Sequence, residues 1–193
     1  MAGLQGNTQG VGKDIVDYLT EVATHFDLTI VVTSGYRDGS RQAKAMFDNW
    51  IHLKRGAVYA KAALPEADRE RLDRYYRTAL EDPNAGGAER DVARAAFMKL
   101  AAERVGTRSM HTRGRAVDVT QASVPAAAYR AITRRMKEVR EGRDDIYHFE
   151  SAARIPKPGS ADRKAWGSPP VSMQGRTRIL LAGRGAAPCN CLG

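Results

Sequence analysis

Apolar residues recur at three- and four-residue intervals through Val11, Ile15, Leu19, Val22 and Phe26, which predicts an amphipathic first helix. Leu28 to Thr33 is a short β-branched run, the mark of a buried strand, and it ends at the turn Ser34-Gly35-Tyr36-Arg37. A second helix opens at Ser40 and runs to about Arg55, where Gly56 stops it. Pro65 starts a third, with Leu72, Tyr75, Tyr76, Ala79 and Leu80 on its inner face, before Pro83-Asn84-Ala85-Gly86-Gly87 breaks the chain. Ala88 to Arg104 forms a fourth, with Val92, Ala96 and Leu100 in line.

Alternation then replaces the helical period. Arg115 to Thr120 reads as a strand with Val117 and Val119 on the core face and Ala116 and Asp118 on the other. Val124-Pro125 leads into a helix through Ala128, Ile132, Met136 and Val139, ended by Gly142, and a last strand starts near Tyr147 with Phe149 inward. The plan is α+β: a small antiparallel sheet with flanking helices, and a helical insert over residues 56–107. It divides into residues 1–150 and a Pro/Gly-containing tail, 151–193, in which Thr177 to Ala182 is the one strand-like piece.

Two of the four histidines lie close to carboxylates at usable offsets. In Ser109-Met-His111-Thr-Arg-Gly114-Arg-Ala-Val-Asp118, the glycine lets the chain turn sharply after His111 and return as the strand that carries Asp118. In Asp145-Ile-Tyr-His148-Phe-Glu150, strand alternation turns His148 to the face opposite Phe149. A catalytic zinc commonly takes three His/Asp/Glu/Cys ligands and keeps a position for water. His111, Asp118 and His148 supply that set for one Zn²⁺ per chain. Asp145, in the loop before the strand, is placed to reach the water without being a ligand, as a general base requires. Its neighbour Asp144 is the competing candidate. His25 and His52 have no such company and read as capping or exposed residues.

These two blocks, with Ser34-Gly-Tyr-Arg37-Asp-Gly-Ser-Arg-Gln42 upstream, resemble the zinc peptidases of bacterial cell walls. That family includes D-alanyl-D-alanine carboxypeptidases and dipeptidases and L-alanyl-D-glutamate endopeptidases, on the hedgehog/D,D-peptidase fold. The three blocks cover well under half of the chain. The resemblance implies that His111, Asp118 and His148 bind zinc, that Asp145 is the catalytic carboxylate, and that Arg37 stabilises the oxyanion of the attacked carbonyl. It implies substrate contacts for Ser109, Gln42 and Tyr36, with peptidoglycan stem peptides as substrate. Aspartate at 145, where the carboxypeptidases and dipeptidases generally carry glutamate, is more similar to the endopeptidase branch. A catalytically silent wall-binding or signalling module of the same fold is the alternative, and such a module typically lacks the base.

Composition bounds the rest. The chain of 193 residues is 42% hydrophobic and 27% charged, ordinary for a globular domain. No apolar run reaches the ~18 residues of a membrane span. The first residues lack the basic segment and apolar core of a secretory signal, so the expected route is synthesis in the cytoplasm and non-classical delivery to the periplasm or wall, by phage lysis or a secretion machine, with an immunity protein as a conceivable partner. The formal charge is +9, and the tail carries seven Lys/Arg against one Asp. Such a surface favours anionic wall or envelope polymers. Aromatics do not interleave with these charges, which argues against nucleic acid. Cys189 and Cys191 are too close for an easy disulfide and too few for a zinc knuckle.

Overall fold

A computed structural model describes residues 2–57, 64–105, 109–139 and 145–168. The expected helix stop Gly142, the alternative base Asp144, the strand-like piece Thr177 to Ala182 and both cysteines lie outside the described residues. Among the described residues the protein is mixed α+β, with six helices and a five-stranded sheet of order β1-β2-β3-β5-β4. The elements are β1 (Gly3–Gly6), α1 (Lys13–His25), β2 (Thr29–Ser34), α2 (Gly39–Asp48), α3 (Glu66–Leu80), α4 (Gly87–Val105), β3 (Ala116–Thr120), α5 (Ala126–Thr133), β4 (Lys137–Glu138), β5 (Ile146–Glu150) and α6 (Ser160–Trp166).

The sheet is antiparallel from β2 through β3 and β5 to β4, but it is not wholly antiparallel as expected, because β1 adds a parallel edge beside β2. Gly3-Leu-Gln-Gly6 has almost no apolar signal, and its pairing is by backbone to Thr29–Val32. One face of the sheet packs on α1 and α5. Ile15, Leu19, Val22, Ile30, Val32, Val117, Val119, Ile132 and Phe149 are buried there together. The Tyr18 hydroxyl donates to the Ala131 carbonyl at 2.7 Å, tying α1 to α5.

The helical insert shares a second core with α2 and the turn that follows it, in which Phe97 meets Phe47 and Trp50 edge-to-face at 5.0 and 5.1 Å. Phe97, the bulkiest apolar residue of α4, sets that helix's rotation. Ala93, Phe97, Leu100 and Ala101 face inward, while Val92, expected inside, is 70% exposed. Leu80 of α3 is likewise outside, and Asp68, Leu72, Tyr76 and Ala79 form the buried stripe. The helix expected to run through Val139 stops at Thr133, because the next residues serve the sheet edge as β4: Lys137 pairs with Glu150, and Val139 N–H donates to the His148 carbonyl.

The chain after Glu150 returns to the core instead of extending away up to α6, since Ile155 and Trp166 are buried against it. Arg115 secures that return. Its Nε donates to the Ser151 carbonyl at 2.8 Å, its Nη2 donates to the Ala153 carbonyl, and its Nη1 donates to both Asp14 carboxylate oxygens at 2.7 and 2.9 Å. Asp14 also accepts from Ile155 N–H at 2.7 Å. Burial alone would raise the Asp14 carboxyl, but Arg115 and the Ile155 N–H outweigh it and hold it below the usual carboxylate range. Asp14→Ala should therefore cost about 1–3 kcal/mol in urea unfolding. The native value being depressed, that contribution is complete above about pH 4, the ordinary aspartate value, and is lost as pH falls through the native one. The stability gap between wild type and Asp14→Ala should close in acid; a gap that persists at pH 2 would assign the effect to packing instead.

Candidate metal centre

Strand register builds the site. Asp118 lies directly opposite His148 in the β3–β5 ladder, between the pairs Val117–Phe149 and Val119–Tyr147. Alternation sends Val117, Val119 and Phe149 into the core and leaves Asp118 and His148 together on the other face. The third member arrives by the turn before β3. Gly114 has φ +65°, and a Cβ there would stand 2.4 Å from the Gly10 carbonyl oxygen, so only glycine fits this return. The turn is closed by Gly114 N–H donating to the His111 carbonyl and by Gly12 N–H donating to the Gly114 carbonyl. The Ser109 hydroxyl accepts from His111 N–H at 3.2 Å and so braces the same turn.

His111, Asp118 and His148 are all buried, and one ligand atom from each lies within 4.8 Å of the others. This group could hold a metal ion. His148 Nδ1 is 2.8 Å from Asp118 Oδ1, and His111 Nε2 is 3.3 Å from that same oxygen. The rings of the two histidines have their centroids 4.9 Å apart. His111 Nδ1 stands 2.6 Å from the Gly35 carbonyl oxygen, which can only accept, so Nδ1 carries the proton and Nε2 presents a lone pair. That buried Nε2 makes no hydrogen bond. A lone pair facing a carboxylate oxygen across 3.3 Å, without a proton between them, is an arrangement that a shared cation makes favourable. The donor set of two imidazoles and one carboxylate fits a divalent transition metal, with a net charge of about +1 on the centre.

Asp118 is a buried carboxylate held ionised. Burial pushes its carboxyl up, yet the His111 and His148 imidazoles, when they present protons to Oδ1, bring it far below the usual range, and a cation between them would act in the same direction. Arg37 compensates the charge from the opposite side, its Nη2 lying 2.5 Å from Asp118 Oδ2. The reach depends on an irregularity in β2: Val32 pairs with Val119 and Ser34 with Asp118, so Thr33 is an extra residue, a bulge of the kind that redirects side chains beside functional sites. Arg37 Nε then donates to Ser34 Oγ at 2.7 Å, and Nη1 lies 3.4 Å from Gln42 Oε1. Gly35 and Arg37 clamp His111 from both sides, because Arg37 N–H also donates to the His111 carbonyl.

The residues singled out in the sequence are thus brought together unequally. His111, Asp118, His148 and Arg37 share one cluster. Gln42, 2% exposed on α2, touches it through Arg37. Tyr36 is 40% exposed on the clamping segment, and Ser109 sits in the His111 turn. Asp145 is exposed at the bend just before β5, with its carbonyl accepting from Gln121 N–H at 3.0 Å, which pins the bend at the end of the ladder. His25 ends α1 but does not cap it, its Nε2 lying 2.8 Å from the Gly167 carbonyl oxygen beyond α6, and His52 is exposed. Glu150 and Ser34 were not assigned roles from the sequence. The signal for Glu150 was its offset of two from His148, which in a strand puts both on one face. Contact with His148 lowers the Glu150 carboxyl from its usual range, although burial acts the other way.

No family model, no curated protein and no solved structure matches this chain. The site therefore has to be read from its own chemistry. Removing any one of the three leaves two donors, too few for tight binding, so His111→Ala, Asp118→Ala and His148→Ala should each purify with far less bound metal than wild type by elemental analysis. Full metal occupancy in Asp118→Ala would dissolve the ligand assignment.

Proposed function

We propose that this protein is a zinc metallopeptidase of the D,D-carboxypeptidase and L-alanyl-D-glutamate endopeptidase family, on the hedgehog/D,D-peptidase fold, hydrolysing an amide bond in peptidoglycan stem peptides. The observation that carries the reading is the convergence of His111 Nε2, Asp118 and His148 Nδ1 with an unpartnered lone pair aimed into the cluster. The resemblance of the three sequence blocks supplies the substrate class. Its setting is the bacterial wall or periplasm, where the protein works as a lysis enzyme or antibacterial effector.

His111, Asp118 and His148 would hold the zinc ion, which would supply the Lewis acidity that makes water nucleophilic near neutral pH. The chain's own groups do the rest. Asp145, outside the ligand set and in the bend before β5, takes the proton from the attacking water and delivers it to the leaving amine. Arg37 keeps Nε on Ser34 and Nη2 on Asp118. Its Nη1, whose contact to Gln42 is a long 3.4 Å, is the nitrogen with donor capacity left for a developing oxyanion. Tyr36 lies exposed beside it to border the substrate.

Purified protein with Zn²⁺, incubated with muropeptides, should produce new termini by mass spectrometry, and chelation should stop the reaction. Asp145→Ala should keep its metal and fold but lose about 10²–10⁴ in kcat. Intact muropeptides after prolonged incubation with metal-loaded wild type would remove the peptidase reading. Undiminished turnover by Asp145→Ala would move the base elsewhere.

A further inference from the structure

We propose that Glu150 is a positioning residue for His148: its carboxylate faces His148 Nε2–H as hydrogen-bond acceptor and so favours the tautomer that leaves Nδ1 free to ligate the metal. This rests on the metal-centre reading above. The strand supplies the geometry, since Glu150 follows His148 by two in β5 and projects from the same face. Its cross-strand partner on β3 is Ala116, fully buried and too small to screen one side chain from the other. Glu150 Oε2 lies 3.7 Å from His148 Nε2, while His148 Nδ1 faces Asp118 Oδ1 at 2.8 Å. The carboxylate of Glu150 is therefore at the far edge of the imidazole, away from the ligand cluster, which suits it to orient the ring and unsuits it to act as the base.

Proton bookkeeping completes the argument. With its proton on Nδ1, His148 donates to Asp118 and offers nothing to a cation. For Nδ1 to ligate, that proton must leave and Nε2 must carry one, which turns the 3.7 Å ion-pair separation into a donor facing an acceptor. His111 solves the same problem by the opposite nitrogen, with Nδ1 donating to the Gly35 carbonyl and Nε2 left for the metal. Each imidazole thus has an acceptor at the nitrogen that does not ligate. A carboxylate in that position also raises the basicity of the ligating nitrogen, and loss of such partners typically costs 10–100-fold in metal affinity.

The test is a Zn²⁺ and Co²⁺ titration of full-length, metal-stripped protein against a chromophoric chelator. Glu150→Ala should bind roughly 10–100-fold more weakly. Glu150→Gln, whose amide oxygen still accepts, should recover most of the loss, and Asp145→Ala should bind as wild type does. The visible bands of the Co²⁺ form should shift in Glu150→Ala, while the thermal unfolding of the metal-free variants stays together. Wild-type affinity and an unshifted cobalt spectrum in Glu150→Ala would overturn the assignment, as would equal weakening in the alanine and glutamine variants. Wild type that binds neither metal would overturn the metal centre itself, and this assignment with it.

Discussion

Everything chemical in this protein depends on Asp118 being opposite His148. Side chains alternate along a strand, so a slip of one residue between β3 and β5 would send the carboxylate into the apolar core and a valine into the site. What prevents the slip is the other side of the same two strands. Val117, Val119 and Phe149 are almost completely buried, and each contributes about 1.5–3 kcal/mol by leaving water. The candidate metal site and the core are therefore two faces of one ladder, and the core holds Asp118 and His148 in register from the opposite face.

Such a site is costly before it binds anything. A buried carboxylate requires compensation, and a buried nitrogen without a partner costs about 1–3 kcal/mol. Arg37 offsets part of the first term and cannot help with the second, because His111 Nε2 faces the cluster and Arg37 faces the outer oxygen of Asp118. A cation at the cluster satisfies both at once. Its binding free energy is then also folding free energy, concentrated where β3, β5 and the Gly114 turn meet.

The clustering of His111, Asp118 and His148 is legible in the sequence because each of its constraints is local. A glycine between His111 and Asp118 fixes the turn, and alternation fixes which face Asp118 and His148 share. What escaped was decided at longer range. β1 is held by backbone pairing to β2 and shows no apolar pattern. The end of α5 is set by competition with the β5 edge, for which Met136 and Val139 fit a helical period as well as they fit the observed path. The rotation of α4 follows the packing of Phe97 against Phe47 and Trp50, residues of a segment some fifty positions earlier. The burial of Trp166 likewise depends on α1, whose Tyr18 and His25 meet its ring edge-on.

The second core explains why a sheet-borne site comes with a helical lobe at all. Arg37 leaves β2 by way of the bulge at Thr33, but its outer nitrogen meets Gln42, which belongs to α2. α2 is fixed by Ala43, Met46 and Phe47, whose partners are in α3 and α4. Gln42 is thus positioned by the helical lobe and spends that position on the guanidinium that balances Asp118. The lobe reaches the His/Asp/His cluster through Gln42: helix packing sets Gln42, Gln42 and Ser34 steady Arg37, and Arg37 occupies Asp118 Oδ2. Its hold leaves Oδ1 as the oxygen facing both imidazoles.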